Sequence, residues 1–215
     1  MTYLEIVNNV LRRLREDTVT TVTNNDYSTM VGDFVNDAKA MVESAWDWSG
    51  IRTTLTISTV ADDYTYSLTG SGDKGKILNL FNDTSNLKMQ YRPQAWFDDK
   101  FFVQNPVSGA PEFYTFAGVD GSGDAQIDVY PKPDGVYSIK AKTVIRNSAL
   151  TSDSDILDVP SEPVIHLSLA LLSRERGETG GTSTAEYFAI ADKYLSDAIA
   201  LDAQRHPEET IFYTP

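Results

Sequence analysis

Cysteine is absent from the 215 residues, and histidine occurs only twice. Without cysteine the chain can form no disulfide and has no thiolate chemistry. A zinc site would have to combine carboxylates with His166 and His206, and the H-E-x-x-H spacing is missing. His166 lies in a strongly apolar stretch, which favours a hydrogen-bonded core residue. We therefore predict neither a metal site nor a cofactor.

Long apolar runs are also absent. No stretch of about 18 apolar residues is present, which predicts a protein without a transmembrane helix. The opening residues, MTYLEIVNNV, show no basic region followed by an apolar core and a small-residue cleavage site. We therefore expect no signal peptide and no association with a membrane.

Positive charge is scarce. Lysine and arginine number 18 against 31 acidic residues, which gives a net charge of −13 at pH 7. The phosphates of duplex DNA repel so acidic a chain, so a conventional DNA-binding protein is not expected. Solubility alone accounts for the acidity equally well, and both interpretations stay open.

Catalytic and phosphate-binding motifs are missing too. Neither G-x-x-x-x-G-K-[ST] nor G-x-S-x-G is present, and the glycine-rich residues 70–76 lie between predicted strands rather than before a helix. Residues 120–124, DGSGD, begin like a calcium loop, but Ala125 and Pro131 stand where that loop needs glycine and glutamate. A hairpin turn is the better interpretation, and residues 152–155 are predicted to be a solvated connector. We predict that the protein is not an enzyme.

Two helices are predicted at the start of the chain. The first spans residues 2–15 and begins with a T-x-x-E capping box of Thr2 and Glu5. The second, capped by Asp26 or Ser28, carries the longest i, i+3, i+4 apolar repeat in the sequence and ends at W-D-W-S-G.

Two more helices are predicted at the end of the chain. One begins at Ser161 with Pro163 in its first turn, and the other begins at Ser183. The last residues, 206–215, follow a proline stop and end in an apolar tip. Such a tip suits a docking peptide, and three of its side chains are the candidate portal-docking residues: Ile211, Phe212 and Tyr213.

The three tryptophans are candidate interface aromatics. Trp46 and Trp48 are two residues apart, so on a helix they would point in roughly opposite directions. One is expected in the core and the other at the junction with the β region or at a subunit interface, where tryptophan is enriched. Trp96 lies in residues 92–102, which do not alternate and are predicted to be a short helix or a loop.

Short alternating segments separated by turn residues fill the middle of the chain, from about 51 to 145. They predict an antiparallel sandwich or small barrel. The full prediction is an α+β fold, in which a four-helix bundle of N- and C-terminal helices carries an inserted antiparallel β-sandwich or barrel-like domain. Residues 1–49 and 160–205 form the bundle, 50–159 the β-rich insertion, and 206–215 an extended docking tail.

The order of these features resembles a known family. The features are an L-x-x-x-x-x-x-L-x-R-L first helix, a second helix ending in W-x-W, the strand pair DVYPKPDGVYSIKAK, the connector LTSDSD, and P-S-E-P before two closing helices. This order resembles the tail-adaptor (tail tubular protein A-like) head-to-tail connectors of tailed bacteriophages. The turn at 130–135 and the connector after it carry most of the likeness, which covers nearly the whole chain.

The resemblance implies a structural virion protein and no catalytic residues. It implies a homo-oligomeric ring, a dodecamer, between the phage portal protein and a downstream tail nozzle or tube protein. Double-stranded DNA would pass through the ring without specific binding during ejection. The protein would lie at the head–tail junction of the virion after assembly in the host bacterial cytoplasm.

Two other functions stay open on the residues alone. A carbohydrate- or receptor-binding β module of a phage tail would need an exposed coplanar row of aromatic side chains, drawn from Tyr64, Tyr66, Trp96, Phe113 and Tyr114. A cell-wall glycoside hydrolase would need two acids at catalytic separation in a cleft, one of them with a raised pKa.

Overall fold

The computed structural model describes residues 1–72, 75–175 and 182–205. The chain divides into two compact units. The helical unit comprises residues 1–50 and the chain from 147 onward, and the β unit comprises residues 51–146. Because helices and sheets are segregated along the chain, the predicted α+β class is confirmed. No helix within the described ranges has both the length and the apolar character to cross a membrane.

Five α-helices and eight strands lie within these described ranges. The helices are α1 (Tyr3–Arg13), α2 (Asp26–Ala45), α3 (Gln94–Asp98), α4 (Ser161–Glu175) and α5 (Thr182–Arg205), with a 3-10 turn at Ser49–Ile51 and a π-helical turn at Asp99–Val103. The strands are β1 (Arg52–Ser58), β2 (Thr65–Ser67), β3 (Lys76–Asn82), β4 (Leu87–Lys88), β5 (Gln90–Tyr91), β6 (Phe113–Val119), β7 (Ala125–Tyr130) and β8 (Ser138–Val144).

The predicted four-helix bundle is wrong. α1, α2 and α4 all pack against one another, whereas α5 packs chiefly along α4, and a further helix, α3, lies in the β unit. The described buried side chains of α5 are few: Thr184, Ala191 and Asp202. Its large apolar residues Ile190, Tyr194 and Leu201 remain exposed. An apolar repeat shows that a helix has an apolar face, but it does not show which neighbour covers that face.

Both N-terminal helices begin at reciprocal caps. The predicted capping box of α1 is confirmed, since the Thr2 N–H donates to Glu5 Oε2 at 2.8 Å and the Glu5 N–H donates to Thr2 Oγ1 at 3.3 Å. The predicted cap of α2 is wrong, because the N-cap is Asn25 rather than Asp26 or Ser28. Asn25 Oδ1 accepts from the Ser28 N–H at 2.7 Å, and Ser28 Oγ accepts from the Asn25 N–H at 3.1 Å.

The connector that leads to α4 is tied to the first half of the helical unit. Asn36 Nδ2 donates to the Leu150 carbonyl at 3.0 Å, and the Leu150 N–H donates back to Asn36 Oδ1 at 2.8 Å. Asp153 Oδ1 accepts from the Val22 N–H at 2.9 Å. Leu157 of the same connector is buried. The polar residues 152–155 are exposed or partly buried, whereas Leu150 and Leu157 on either side of them are buried.

Two four-stranded sheets form the β unit, with strand orders β1-β8-β3-β4 and β2-β7-β6-β5. One hydrophobic core draws buried side chains from both sheets, among them Ile57, Leu80 and Ile139 of the first sheet and Tyr66, Ile127 and Val129 of the second. Successive strand residues point to opposite faces, so Lys140 and Lys142 of β8 lie on the face opposite to Ile139.

The chain changes sheet four times, between β1 and β2, β2 and β3, β4 and β5, and β7 and β8. The predicted strand 87–91 is divided at Met89, a residue 2% exposed, so β4 joins the first sheet and β5 joins the second. The turn at 130–135 leads from β7 of the second sheet to β8 of the first, across a cis Tyr130–Pro131 peptide bond. β5 pairs with β6 in parallel, which corrects the prediction of a wholly antiparallel domain.

Candidate docking surfaces

The three candidate tryptophans lie in different environments. Trp48 is 1% exposed, and its Nε1 donates to the Val42 carbonyl at 2.7 Å. Trp46 is 36% exposed and follows the end of α2 at Ala45, so the helical spacing does not apply to the pair. One tryptophan of this pair is nevertheless in the core, as predicted. An interface role for these residues and for Trp96 stays a prediction.

Asp202 anchors the C-terminal part of α5. Its Oδ1 accepts from the Ser49 hydroxyl at 2.6 Å, and its Oδ2 accepts from the Ser49 N–H at 3.1 Å and from Trp46 Nε1 at 3.2 Å. Burial opposes ionisation of this carboxyl, but the bonds from Ser49 and Trp46 outweigh it, so the pKa of Asp202 is lowered. The anionic carboxylate is therefore the form that holds α5.

Replacing Asp202 with asparagine should lower the free energy of unfolding by about 1.5–3 kcal/mol at neutral pH, because charge-assisted bonds are lost. A lowered folded pKa stabilises the fold above the unfolded value of about 3.9, and that stability is lost as pH falls through the folded pKa. The difference between variant and wild type should therefore shrink below about pH 4. Urea unfolding across pH measures it.

Asp197→Asn is the matched control, because Asp197 is an exposed aspartate on the same helix. It should change stability by less than about 0.5 kcal/mol. A pH-independent loss in Asp202→Asn would show that the anionic form is not what stabilises the helix end.

An aromatic cluster lies beside β6 and β7. The Trp96 ring lies 5.2 Å from that of Phe113 and 5.3 Å from that of Tyr130. Phe97 is 1% exposed, and Phe101 stacks on Tyr64 with ring centroids 4.3 Å apart. The π-helical turn that follows α3 is held by this packing, and π-turns occur often at functional positions.

The same turn presents apolar side chains to solvent. Phe102 and Val103 follow the packed Phe101 and are 76% and 78% exposed. Three more exposed valines lie on neighbouring loops: Val60, Val107 and Val136, at 60%, 58% and 74%. We call residues 59–63, 99–107 and 131–137 the apolar loop surface. Exposed apolar residues that cluster on a surface mark interaction sites.

Hydrogen bonds join the three loops. The Asp62 N–H donates to the Pro133 carbonyl at 2.9 Å, and the Lys132 N–H donates to the Val107 carbonyl at 2.9 Å. The Thr59 hydroxyl donates to the Gly135 carbonyl at 2.9 Å. The apolar loop surface is therefore presented by backbone that is already ordered.

A groove with basic edges lies on the outer face of the first sheet. Its volume is about 430 Å³, within the range of about 300–1,000 Å³ of ordinary ligand pockets. We call it the lysine groove; its lining includes Phe81, Asp83, Leu87, Lys88, Lys140 and Lys142. Lys140 pairs with Asp83 at 2.9 Å, whereas Lys142 donates to the uncharged Thr54 hydroxyl at 2.6 Å. The positive charge of Lys142 is therefore not offset by that bond.

No group of three or more histidine or acidic residues within the described ranges could hold a metal ion. His166 is half-buried rather than a core residue, stacks on Tyr194 at 4.3 Å and lies 3.7 Å from Glu162. Burial lowers the pKa of His166, and the nearby Arg13 lowers it further.

The predicted hairpin turn at 120–124 is confirmed, because it joins β6 to β7.

The aromatic residues weighed for a sugar platform are buried or partly buried and form no exposed row. Tyr66 is buried, and Tyr64, Trp96, Phe113 and Tyr114 are partly buried. Among the described residues, the carboxyls with shifted pKa values are Asp120, Asp155 and Asp202, and hydrogen bonds to backbone or side chains make all three pKa values lower. A glycosidase acid needs a raised pKa.

The candidate portal-docking residues Ile211, Phe212 and Tyr213, and the whole predicted tail 206–215, lie outside the described residues. His206 also lies outside the described residues.

The sequence analysis predicted neither the apolar loop surface nor the lysine groove. The exposed pair of large apolar residues at 102–103, next to aromatic residues, was the signal available for the first. The three lysines at 88, 140 and 142 meet only through sheet pairing.

A comparison with protein-family models shows which family the chain belongs to. A search among curated proteins found no match. A family model described as SU10 adaptor protein matches residues 1–210, nearly the whole chain. The family is one of phage head-to-tail adaptors, so the sequence-based resemblance is confirmed at that level and a structural phage role follows. The chain belongs to the SU10 adaptor protein family.

Proposed function

We propose that this adaptor forms a ring at the head–tail junction, joins the portal protein to the first tail protein, and surrounds the path of the DNA. The family match over residues 1–210 carries this proposal. Two solvent-facing surfaces on the β unit, one apolar and one basic, support it, since a ring subunit needs contacts on more than one side. We propose twelve copies, assembled in the host cytoplasm.

The acidity of the chain suits passage of DNA. Each copy carries a net charge of −13, so a ring multiplies that charge around a single channel. An acidic wall repels phosphates and offers them no lasting contact. The DNA would therefore move through the ring without specific binding. This role requires that acidic side chains face the channel.

Native mass spectrometry of the purified chain, alone and mixed with portal rings from the same phage, tests the proposal. We expect a fixed ring stoichiometry in the presence of portal, because the portal's symmetry sets the number of docked copies. A chain that neither forms a ring alone nor binds portal would overturn it. Glycan binding would then be the next property to measure.

The apolar tip of the tail supplies a second arm of this experiment. We propose that Ile211, Phe212 and Tyr213 bind the portal. Replacing all three with serine should abolish portal binding, because the buried apolar area of the contact is lost. Replacing Thr210 and Thr214 with serine in the wild-type tail is the matched control and should leave binding unchanged.

A further inference from the structure

We propose that the apolar loop surface of one copy docks into the lysine groove of the next copy. The inference rests on the proposed ring and identifies the contact that builds it. Both surfaces lie within residues 51–146, and they share no residue. Each subunit therefore offers one of each to its two neighbours.

Charge complementarity selects a second copy as the occupant. The apolar loop surface carries four aspartates (Asp62, Asp63, Asp99 and Asp134) and two lysines (Lys100 and Lys132), for a net charge of −2. The lysine groove has three lysines against one aspartate, for a net charge of +2. The side chain of Asp62 is 83% exposed, although Lys132 lies 3.6 Å away, so its charge reaches solvent. Opposite potentials on two patches orient association and fix its register.

Apolar complementarity points to the same occupant. Phe102 and Val103 project from an ordered turn, and the groove offers the partly exposed Phe81 and Leu87 between its lysines. Docking would bury Phe102 and Val103 of one copy against Phe81 and Leu87 of the next. A large apolar side chain in a pocket with a polar rim is the usual centre of a protein interface.

Two unlike surfaces on one chain make a heterologous contact. Such a contact repeats from copy to copy and closes into a ring when the rotation between copies divides the circle. The hydrogen bonds that join residues 59–63, 99–107 and 131–137 keep one partner ordered before docking. Pre-ordered loops lower the entropy lost on association.

Disulfide cross-linking tests the contact, and because the chain has no native cysteine, a disulfide between two copies joins introduced cysteines. Val103→Cys and Leu87→Cys are placed in separate preparations, mixed, and oxidised mildly with and without portal rings. The control pairs Leu87→Cys with Val119→Cys, at an exposed valine of the same unit that lies outside both surfaces. The mixed disulfide should form at least about tenfold faster with Val103→Cys than with this control. Equal rates would overturn the proposal, as would a Val103→Cys homodimer that forms faster than the mixed pair.

Charge exchange provides an independent test. Lys88→Glu with Lys142→Glu should abolish the cross-link and the ring, and so should Asp62→Lys with Asp134→Lys. A chain that carries all four substitutions should recover both, because the two surfaces are complementary again. Failure of the fourfold variant to recover, when its circular dichroism matches the wild type, would overturn the pairing.

The last comparison separates this inference from the proposed ring. Phe102→Ser with Val103→Ser should prevent ring formation, whereas Phe116→Ser, an exposed phenylalanine of β6, should not. A normal ring from the Phe102/Val103 variant would overturn the contact and leave the ring proposal standing. If the variant with Lys88→Glu and Lys142→Glu formed normal rings but retained less DNA, the groove would bind phosphate rather than a second copy.

Discussion

Replacing Lys39 with alanine should lower the free energy of unfolding of the helical unit by about 3–5 kcal/mol, because a buried charge would lose its partner. Lys39 and Glu43 of α2 are each 2% exposed, and Lys39 Nζ lies 2.8 Å from Glu43 Oε1. The same ammonium donates to the carbonyls of Asn147 and Ser148 at 3.0 and 2.9 Å. One side chain therefore neutralises a buried carboxylate and ties the returning connector to α2.

The partner residue makes the effect large. Glu43 Oε1 is fully buried, and the Lys39 ammonium 2.8 Å away is the charge that offsets its burial. Urea unfolding with hydrogen exchange measured by mass spectrometry gives the loss and locates it. Exchange should rise in α2 and in the connector near 147–150.

A double variant separates loss of the pair from loss of one partner. Lys39→Met with Glu43→Leu removes both charges and keeps side chains of similar size. Replacing a buried ion pair in this way is often close to neutral, so most of the stability should return. A loss in Lys39→Ala below about 1 kcal/mol would mean that solvent reaches the carboxylate in the native state.

Replacing Phe97 with alanine should lower the free energy of unfolding of the β unit by about 3–5 kcal/mol. Phe97 is 1% exposed, packs edge-on against Trp96 at 5.3 Å and lies tilted against Phe101 at 6.0 Å. Alanine would leave a cavity beneath the turn that presents Phe102. Calorimetry measures the stability, and exchange should rise in residues 94–104.

Phe102→Ala is the matched control, because it removes the same side chain from the same segment where it is 76% exposed. It should change stability by less than about 0.5 kcal/mol. A comparable loss in the two variants would show that Phe102 is packed in solution. Comparing the two variants also separates effects on stability from effects on docking. Phe102→Ala should weaken the contact between copies, whereas Phe97→Ala should weaken the fold.

Both large effects concern groups that hold a surface or a connector in place. The adaptor family implies binding to portal and tail proteins, and docking surfaces bind best when they are ordered beforehand. Phe97 supports the turn below the apolar loop surface, and Lys39 holds the chain as it leaves the β unit. We therefore expect partial loss of assembly in both variants even where the fold persists.

Local patterns in the sequence were sufficient for several features. The T-x-x-E box at Thr2 and Glu5 predicted the start of α1, because both partners lie within one turn. Turn residues at 120–124 predicted the hairpin between β6 and β7 for the same reason. The α+β class followed from the segregation of helical and alternating periods along the chain. The order of motifs was enough to identify the family.

The tertiary structure decided whatever depends on partners distant in sequence. It showed that α5 packs chiefly along α4 and that Met89 divides one predicted strand between two sheets. It also brought three lysines of two strands to one groove and three loops to one surface. Periodicity reports the environment of a residue along its own element. It does not report which element lies opposite, because that choice follows from the packing of the whole unit.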